Sequence, residues 1–447
     1  MGTLFGTDGV RGVANRDLTA ELAFRLGRAG AYILNRHGAR PRIIIGKDTR
    51  ISGDMLEAAL AAGILSVGGD CIRAGVIPTP GLAYLARTMD CCAGVMISAS
   101  HNPVPDNGIK FFAGDGFKLP DAVEDEIEAV VRDEQFPFPQ PVGEALGRVA
   151  VDGDCAERYL DFLKEQAGDL DLTGLKLVID CANGAASHIA PCLFAGLGAQ
   201  MQSIYSEPNG ININAGCGST HTGPLQRVVP DLEADLGLAF DGDADRLIAV
   251  DEKGSVVDGD QTMVICGLAR KRKGTLPGNR VVVSVMSNLG LREAFRNAGI
   301  EAPETKVGDR YILEEMRRSQ AVLGGEQSGH IIFLDRATTG DGLLTALELL
   351  KVVRESGQPL SRLAGQMTRF PQVLVNVRVR NKQALHGHPV IAEAVRGAEQ
   401  KLAGRGRILV RPSGTEPLVR VMGEGPREDE LMEVVCELSE VVKAHLG

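Results

Sequence analysis

Residues 95–103 read VMISASHNP, and residues 106–112 read DNGIKFF. An apolar run with the length of a buried strand ends in small polar residues, and Asn-Pro and Asn-Gly turn signals separate it from a second apolar run. The pattern predicts a strand, an exposed loop and a second strand. The loop carries the hydroxyl of Ser100 and the imidazole of His101, and Lys110 follows the turn. Because loops held by a rigid sheet are where chemistry is usually placed, we expect a nucleophile here among groups that can stabilise phosphate charge.

A serine hydrolase is the first alternative for such a loop. The chain contains no GxSxG nucleophile elbow, which disfavours that reading. Adjacent side chains also point to opposite sides of an extended chain, so we expect Ser100 and His101 to diverge rather than form a catalytic pair.

Length and charge set the class of protein. The 447 residues exceed what one ordinary hydrophobic core requires, which favours three or four domains. The 55 glycines indicate many tight turns and loops that approach a ligand closely. A net charge of -10 argues against a nucleic-acid-binding surface, which needs a basic face. An anionic small ligand therefore requires basic residues gathered at one place in the fold.

Cysteines and the first residues indicate the compartment. The nine cysteines form no CxxC pair, and Cys91 and Cys92 are neighbours inside an apolar stretch, so neither a zinc site nor a disulfide framework is predicted. We expect reduced, largely buried thiols. Residues 1–7 lack the basic-then-apolar layout of a signal peptide, and no uninterrupted apolar run reaches membrane-spanning length. These features predict a cytoplasmic protein.

A strand followed by a helix recurs along the chain. Apolar strands at Arg42–Gly46, Leu175–Asp180 and Val281–Val285 each lead into a helical pattern. Three such units predict three related α/β domains rather than one large sheet. Near the C-terminus, Val373–Val379 places four valines on one face of a strand, which is typical of a sheet with one wet side. We therefore expect a smaller α+β domain at the end of the chain.

Breaks in these patterns predict the domain limits. Residues 136–141 read FPFPQP, which cannot continue the acidic helix before them and indicates a linker. Further breaks lie near residues 251–254 and 368–371. The predicted domains are residues 1–150, 151–254, 255–368 and 369–447.

The sequence DGDADR at residues 241–246 lies between two strand-like apolar runs. The carboxylates of Asp241, Asp243 and Asp245 repel one another in so tight a turn unless a cation lies among them, and all-oxygen ligation suits Mg²⁺ or Ca²⁺. Glu252 falls where an EF-hand loop would close, but Arg246 occupies the position that such a loop needs for glycine. We predict a divalent metal site, with a solvated acidic turn as the alternative.

Three further loops suit a phosphorylated sugar. Residues 411–417 read RPSGTEP, with Arg420 following, and combine the arginines, hydroxyls and backbone N–H groups of a phosphate-binding loop. A plain hairpin turn is the alternative there. Residues 324–330 read GGEQSGH and offer donors and acceptors for sugar hydroxyls. Residues 5–12 read FGTDGVRG and suit a ligand loop, with an N-terminal turn as the alternative.

These stretches together closely resemble the α-D-phosphohexomutase superfamily. The matching residues are 5–12, 98–103 with 107–112, 241–246, 325–330 and 411–417, which occur in the order of the family and span the chain. The form EQSGH, together with Asn212-Ile213-Asn214 and residues 217–220, is similar to the glucosamine branch rather than the phosphomannomutase/phosphoglucomutase branch. The resemblance implies a heart-shaped enzyme of four domains, three α/β domains with mixed sheets and a smaller C-terminal α+β domain, with one principal loop in each domain after the first.

The resemblance also implies a role for each matching residue. Ser100 is expected to be the phosphorylated serine, and it is expected to bind Mg²⁺ through its phosphate together with Asp241, Asp243 and Asp245. Sugar hydroxyls are assigned to Glu326 and Ser328. The non-reacting phosphate of the substrate is assigned to Arg411, Ser413, Gly414, Thr415 and Arg420.

The implied activity is an isomerase reaction, an intramolecular phosphoryl transfer that interconverts glucosamine 6-phosphate and glucosamine 1-phosphate for UDP-N-acetylglucosamine and cell-wall synthesis. Glucosamine 1,6-bisphosphate is the expected intermediate and activator. The expected partner is a small hexosamine phosphate, without nucleic acid or membrane, and a homodimer stays open as an alternative to the monomer.

The residue types suggest which side chains neutralise the charge of the phosphoryl group and which transfer protons. Arg11 and Lys110 can neutralise the phosphoryl group with the metal, while Lys110 and His330 are the candidates for acid and base, tuned toward neutrality by nearby cations. His101 is expected to support the loop. The rival functions are a phosphoglucomutase or phosphomannomutase, and a sugar-phosphate-binding protein without activity.

Overall fold

The computed structural model describes residues 4–6, 8–34, 40–413 and 418–447. Within these residues the strands are β1 (Val10–Val13), β2 (Arg42–Lys47), β3 (Asp70–Val76), β4 (Ala93–Ile97), β5 (Asp106–Ala113), β6 (Val149–Val151), β7 (Lys176–Asp180), β8 (Gln200–Ile204), β9 (Leu236–Phe240), β10 (Leu247–Asp251), β11 (Val256–Val257), β12 (Val281–Ser284), β13 (Glu304–Thr305), β14 (Leu323–Gly325), β15 (Ile331–Phe333), β16 (Gln372–Arg378), β17 (Arg407–Pro412) and β18 (Leu418–Glu424).

The α-helices of the same residues alternate with these strands. They are α1 (Ala20–Leu34), α2 (Ser52–Ser66), α3 (Thr79–Thr88), α4 (Asp121–Arg132), α5 (Cys155–Ala167), α6 (Ala186–Gly196), α7 (Gly223–Asp231), α8 (Gly259–Arg272), α9 (Leu289–Asn297), α10 (Asp309–Ser319), α11 (Gly342–Ser356), α12 (Leu360–Ala364), α13 (Pro389–Lys401) and α14 (Glu428–Leu446).

The first three sheets share one arrangement. In each, the first strand of the repeat (β2, β7 or β12) pairs in parallel with the next strand on one side and with the third strand on the other. The third strand (β4, β9 or β14) then pairs antiparallel with the fourth (β5, β10 or β15). The predicted repeat of three related α/β units is therefore confirmed, and each sheet is mixed.

This repeat puts the three predicted loops at one equivalent place. The segment with Ser100 joins β4 to β5, the segment with Asp241–Asp245 joins β9 to β10, and the segment with Glu326–His330 joins β14 to β15. In every case a fully buried strand ends at the loop. Polar side chains are therefore presented at the same end of each sheet.

The described chain divides into two compact units. One contains Met1–Met286 with Gly299–Gln366, and the other contains Ser287–Ala298 with Met367–Gly447. The second unit has an antiparallel sheet in the order β16-β18-β17. Along β16, Val373 and Val377 are buried while Leu374 is exposed, which confirms the predicted alternation and the α+β character of this part.

The proline-rich residues 136–141 behave differently from a free linker. They form no helix or strand, as predicted, but the Phe136 and Phe138 rings pack edge-on against Tyr32 of α1, with centroids 5.2 and 5.8 Å away. The guanidinium of Arg28 lies 4.1 Å from the centre of the Phe138 ring. The aromatic side chains hold this segment on the first sheet's helices because they bury apolar surface there.

Two predictions from composition can be compared directly. All nine cysteines are free thiols, and Cys71, Cys91, Cys155, Cys181, Cys217 and Cys266 are buried, which confirms reduced and largely buried cysteines. Among the helices that the structure describes, none is both long and apolar enough to cross a bilayer.

Candidate active site

Ser100 lies in the loop after β4 and is the centre of the candidate site. It is only 1% exposed, and its backbone φ of 51° is in the left-handed region. Its Oγ donates a hydrogen bond to Oδ2 of Asp241 at 2.5 Å, and Nδ1 of His101 lies 3.4 Å from the same Oγ. Two expectations are wrong. Ser100 itself is buried rather than exposed, because the loop after β9 covers it, whereas Pro103 and Pro105 of the same loop are exposed. The side chains of Ser100 and His101 do not diverge, because the chain at Ser100 is not extended.

Three buried carboxylates converge beside this hydroxyl. Oxygens of Asp241, Asp243 and Asp245 lie within 4.8 Å of one another. Within the described residues, Oδ1 of Asp243 and Oδ1 of Asp245 are buried and lack a hydrogen-bond partner. Burial raises the pKa of Asp241 well above its ordinary value, and the negative charges of the other two carboxylates raise it further. Buried oxygens without partners and mutual repulsion both fit a hard divalent cation, so this chain can hold one here.

One carboxylate of the cluster is held from the first sheet. The hydroxyl of Thr79, in α3, donates to Oδ2 of Asp243 at 2.6 Å, and the Thr79 N–H donates to the Asp243 carbonyl at 3.0 Å. Nζ of Lys110, on β5, donates to the same Oδ2 at 2.9 Å. Such contacts orient a ligand carboxylate and leave its other oxygen for the metal.

Asp8 joins the basic side chains next to the cluster. Its carboxylate accepts hydrogen bonds from Arg11 and from Nζ of Lys118 at 2.5 Å, and Nζ of Lys110 lies 3.2 Å away. Arg11 is on β1, which pairs antiparallel with β5, so residues 10–13 are strand rather than the ligand loop that the glycines suggested. Burial raises the pKa of Asp8, but Lys110, Lys118 and Arg11 outweigh burial and hold that pKa well below its ordinary value.

The pKa of Lys110 is raised, whereas the sequence suggested a pKa lowered toward neutrality. Burial lowers the pKa of this ammonium, but the carboxylates of Asp243 and Asp8 outweigh burial and raise the pKa above its ordinary value. Lys110 is therefore a fixed positive charge at neutral pH. The sequence could not show this because both carboxylates are distant along the chain.

His330 closes the site from the third sheet. It is 4% exposed, and its Nδ1 lies 3.4 Å from Oδ2 of Asp245. The Gly340 N–H donates to Nε2 at 3.3 Å, which places the proton of a neutral ring on Nδ1, facing Asp245. Burial lowers the pKa of His330, but Asp245 outweighs burial and the net pKa is raised. The expected shift toward neutrality by cations is wrong here as well, because a carboxylate is the nearest charge.

The sugar-binding candidates lie in the same loop as His330. The carboxylate of Glu326 is half-buried and accepts a hydrogen bond from the Gly308 N–H at 3.1 Å. Ser328 is exposed, and the Gly329 N–H donates to the Glu326 carbonyl at 3.0 Å. The tight turn leaves both polar side chains accessible to a ligand.

Two residues near Ser100 have surroundings that the sequence does not predict. The side-chain Nε of Arg246 lies 3.7 Å from Oδ1 of Asp245. The backbone N–H of Arg246 donates to Oδ1 of Asp241 at 3.2 Å. His101 has its pKa lowered to about 4, first by burial and then by the positive charges of Arg246 and Arg11. Arg246 ends the DGDADR sequence, which is the signal that could have identified it.

The predicted phosphate loop belongs to the second unit. Arg411 on β17 lies directly opposite Arg420 on β18, so the two cationic side chains share one face of the hairpin. Guanidinium groups donate bidentate hydrogen bonds to phosphate oxygens, so two arginines on one face of a hairpin suit a phosphate. Ser413 is buried, and its carbonyl accepts a hydrogen bond from Nζ of Lys382 at 2.7 Å. Gly414 and Thr415 lie outside the described residues.

Comparison with known proteins gives the family. Models described as phosphoglucomutase/phosphomannomutase alpha/beta/alpha domains I, II and III match residues 2–138, 157–254 and 258–370, and the model of the C-terminal domain matches residues 374–441. The chain belongs to the phosphoglucomutase/phosphomannomutase family. The matches confirm the predicted fold of three α/β domains and a distinct C-terminal domain.

Relatives within this family support one branch of it. The chain is 60% identical over 442 residues to the phosphoglucosamine mutase of Desulforudis audaxviator, covering 99% of this chain and 98% of that protein. It is 59% identical over 443 residues to the phosphoglucosamine mutase of Pelotomaculum thermopropionicum, covering 99% of each. Among solved structures, a phosphoglucomutase/phosphomannomutase family protein from Burkholderia thailandensis matches with a TM-score of 0.82 at 26% identity, covering 99% of this chain and 97% of that one.

As a mutase of this family, the chain is an isomerase whose predicted residues come together in part. Ser100 contacts Asp241, and Asp241 lies in one cluster with Asp243 and Asp245. Lys110 contacts Asp243, His330 contacts Asp245, and Asp8 joins Lys110 to Arg11. Glu326 and Ser328 share a loop with His330. Arg411, Ser413 and Arg420 belong to the second unit, and their role stays a prediction.

Proposed function

We propose that this chain interconverts glucosamine 6-phosphate and glucosamine 1-phosphate through a phosphorylated Ser100 and a glucosamine 1,6-bisphosphate intermediate. One observation carries the proposal: Oγ of Ser100 lies 2.5 Å from Asp241, inside a cluster of three buried carboxylates. A protein that only bound sugar phosphates would not need a nucleophile beside such a cluster. The choice of glucosamine rests on the relatives named phosphoglucosamine mutase.

The proposed cycle has two phosphoryl transfers. In the first, the bond between phosphorus and Oγ of Ser100 breaks and a bond from phosphorus to the free hydroxyl oxygen of the substrate forms; that hydroxyl loses its proton to a base, and the released Oγ takes up a proton. In the second, the bond between the other phosphate and its sugar oxygen breaks and a bond from that phosphorus to Oγ of Ser100 forms; the Ser100 hydroxyl loses its proton, and the released sugar oxygen takes up a proton. Because each phosphate must face Ser100 in turn, the intermediate has to turn end for end between the two steps.

Neutralisation of charge is the main task of the protein in such a transfer. Lys110 is a permanent cation in the site, and Arg11 adds a second one beside Asp8. We assign Mg²⁺ to Asp241, Asp243 and Asp245 together with the phosphate of Ser100, where it would neutralise charge on the phosphoryl oxygens. Arg246 contributes another positive charge next to Asp245.

The proton of the Ser100 hydroxyl is directed at Asp241, whose Oδ2 accepts it at 2.5 Å. His101 is a neutral neighbour of that hydroxyl, with Nδ1 3.4 Å from Oγ, and a pKa of about 4 makes its ring too weak a base at pH 7, so we assign it to support of the loop. Lys110 is then a charge-neutralising residue rather than a base. His330 holds Asp245 and donates from Nδ1 in its neutral form.

Substrate binding is assigned to two loops. Glu326 and Ser328 offer an acceptor and a hydroxyl to the sugar. We assign the non-reacting phosphate to Arg411, Ser413, Gly414, Thr415 and Arg420, supported by the opposed arginines of the β17–β18 hairpin. The domain limits 1–150, 151–254, 255–368 and 369–447, a cytoplasmic location and the choice between monomer and homodimer stay predictions.

Two measurements test the proposal. Mass spectrometry of the peptide with Ser100 should detect a phosphoryl group in active enzyme, and Ser100→Ala should be inactive. Coupled assays should give a higher kcat/KM with glucosamine 6-phosphate than with glucose 6-phosphate or mannose 6-phosphate. Active preparations without phosphorylation at Ser100 would exclude the phosphoserine mechanism, and a preference for glucose or mannose phosphates would move the chain to the rival branch.

A further inference from the structure

A buried arginine lies beneath the Ser100 loop, outside the residues discussed so far. Arg50 follows β2, and its side chain is 0% exposed. Its guanidinium donates to the carbonyl oxygens of Pro103, Ser100 and Asn102 at 2.6, 3.0 and 2.7 Å. One planar group therefore holds three carbonyls of a single loop, which suits the five donors and fixed fork of a guanidinium.

The charge of Arg50 is already balanced within the fold. Its Nε donates to Oδ2 of Asp48 at 2.9 Å, and its backbone N–H donates to Oδ1 of the same carboxylate at 2.9 Å. Asp48 also accepts from Oγ of Ser98 at 2.6 Å, and that Oγ accepts from the Ser100 N–H at 2.9 Å. The pair thus fixes the backbone of Ser100 at both its N–H and its carbonyl.

A second donor reaches the same carbonyls from the second sheet's part of the chain. Nδ2 of Asn214 donates to the Ser100 carbonyl at 2.8 Å and to the Asn102 carbonyl at 3.0 Å. Asn214 is 7% exposed, and its bond to the Ser100 carbonyl is buried. Arg50 and Asn214, more than 160 residues apart in the sequence, therefore both donate to the carbonyl oxygen of Ser100.

These bonds explain how Ser100 keeps its unusual backbone. A φ of 51° is costly for a residue with a side chain and persists only where the surroundings fix it. No hydrogen bond of Arg50 or Asn214 in the described structure reaches Oγ of Ser100. Their contacts act on the backbone alone, and the backbone decides where Oγ points.

We propose that Arg50 and Asn214 form a positioning clamp that holds the backbone of Ser100 so that its Oγ faces Asp241 in every step of the cycle. The inference rests on the proposed phosphoserine mechanism and adds two residues that touch neither the substrate nor the transferred group. A fixed backbone keeps the reacting oxygen in line whether Ser100 is a hydroxyl or a phosphate. Such positioning raises kcat because a misplacement of about 1 Å in a reacting group costs roughly 100-fold in rate.

Two substitutions distinguish a role in positioning Ser100 from an effect of the charge of Arg50 and from a loss of the fold. Arg50→Lys keeps the positive charge beside Asp48, but its three N–H donors share one nitrogen and cannot reach the Asp48 carboxylate and all three carbonyls at once. Asn214→Gly removes the amide and suits the positive φ of 56° at this residue, and it leaves the Arg50 pair intact. Asn279→Gly is the matched control, because Asn279 is exposed and also has a positive φ of 46°.

The enzyme should be assayed as the phosphorylated form with glucosamine 6-phosphate and glucosamine 1,6-bisphosphate. We expect kcat to fall roughly 10- to 100-fold in Arg50→Lys and Asn214→Gly, with KM within about twofold and little change in Tm. Asn279→Gly should match the wild type. An unchanged kcat in both folded variants, or a loss that falls on KM, would overturn the clamp.

Hydrogen–deuterium exchange provides a readout that does not depend on the substrate. Amide exchange in the peptide covering residues 95–105 should rise in both variants and stay unchanged in Asn279→Gly. A wild-type chain without glucosamine mutase activity would overturn the proposed function, and the exchange result would then still decide the clamp. Wild-type exchange rates in folded Asn214→Gly and Arg50→Lys would overturn the clamp whatever the substrate is.

Discussion

The carbonyl oxygen of Ser100 lies 2.6 Å from the position that a β-carbon on Gly242 would occupy. The side chains of Ile213 and Asn214 are also within 3 Å of that position, at 2.8 and 2.9 Å. The loop with Ser100 and the loop with the three clustered aspartates therefore meet backbone to backbone. Glycine at residue 242 is what permits this approach.

Gly242→Ala should separate the two loops. A methyl group at that position has to displace the Ser100 carbonyl, which we expect to lower the free energy of unfolding by about 1–3 kcal/mol and kcat by roughly 100-fold. Unfolding in urea and steady-state kinetics measure the two effects. Gly196→Ala is the control, because beyond its chain neighbours and the adjacent backbone of its own helix no described atom lies within 4 Å of the added methyl group. Wild-type kcat in Gly242→Ala would show that the close contact does not position Ser100.

Thr79→Val should weaken metal binding without touching the metal ligands. The Thr79 hydroxyl donates to Oδ2 of Asp243 at 2.6 Å, and the loss of such a supporting bond typically costs 10- to 100-fold in metal affinity. Isothermal titration with Mg²⁺ or Mn²⁺ gives the dissociation constant for each protein. Thr88→Val is the control, since the Thr88 hydroxyl bonds only within its own helix, to the Tyr84 carbonyl. Equal affinities for Thr79→Val and the wild type would contradict the role of Thr79.

Lys110→Gln tests whether this residue carries charge or a proton. The carboxylates of Asp243 and Asp8 raise its pKa above the ordinary 10.5, so Lys110 does not titrate between pH 6 and 9. We expect kcat to fall roughly 100-fold, while the pH dependence of kcat/KM keeps its shape over this range. Lys253→Gln, at an exposed turn, should leave both quantities unchanged. Loss of the alkaline limb in Lys110→Gln alone would restore Lys110 as the base.

The sequence predicts what is local in this fold. The alternation of apolar runs with Asn-Pro, Asn-Gly and DGDADR places the loops after β4 and β9 correctly, because a buried strand and a glycine-containing turn are properties of neighbouring residues. The triad of Asp241, Asp243 and Asp245 is predicted for the same reason. Its three carboxylates are two residues apart, and their repulsion is independent of the rest of the chain.

What depends on distant residues could not be predicted. Ser100 is buried because Asp241, 141 residues later, covers it. The pKa of Lys110 rises rather than falls because Asp8 and Asp243 come from other elements. His101 is next to Ser100 in sequence, yet its contact with Oγ depends on a left-handed backbone at Ser100 that the tertiary structure imposes. The pKa shifts therefore become visible only in the folded chain, whereas the positions of the functional loops can be predicted from the sequence.

Asp180→Asn should change how stability depends on pH. Asp180 is buried and accepts hydrogen bonds from the Ala182 and Gly218 N–H groups at 2.9 and 2.8 Å, and burial raises its pKa from 3.8 to about 6. The folded chain therefore binds a proton here more tightly than the unfolded chain, so this group's contribution to stability is largest below pH 4 and falls as pH rises to about 6. The apparent free energy of unfolding of the wild type, minus that of Asp180→Asn, should fall by on the order of 3 kcal/mol across this window and stay constant above it. Urea unfolding at several pH values measures this difference, with Asp161→Asn, whose side chain is 73% exposed, as the control. A difference that stays flat from pH 4 to 6 would contradict the raised pKa.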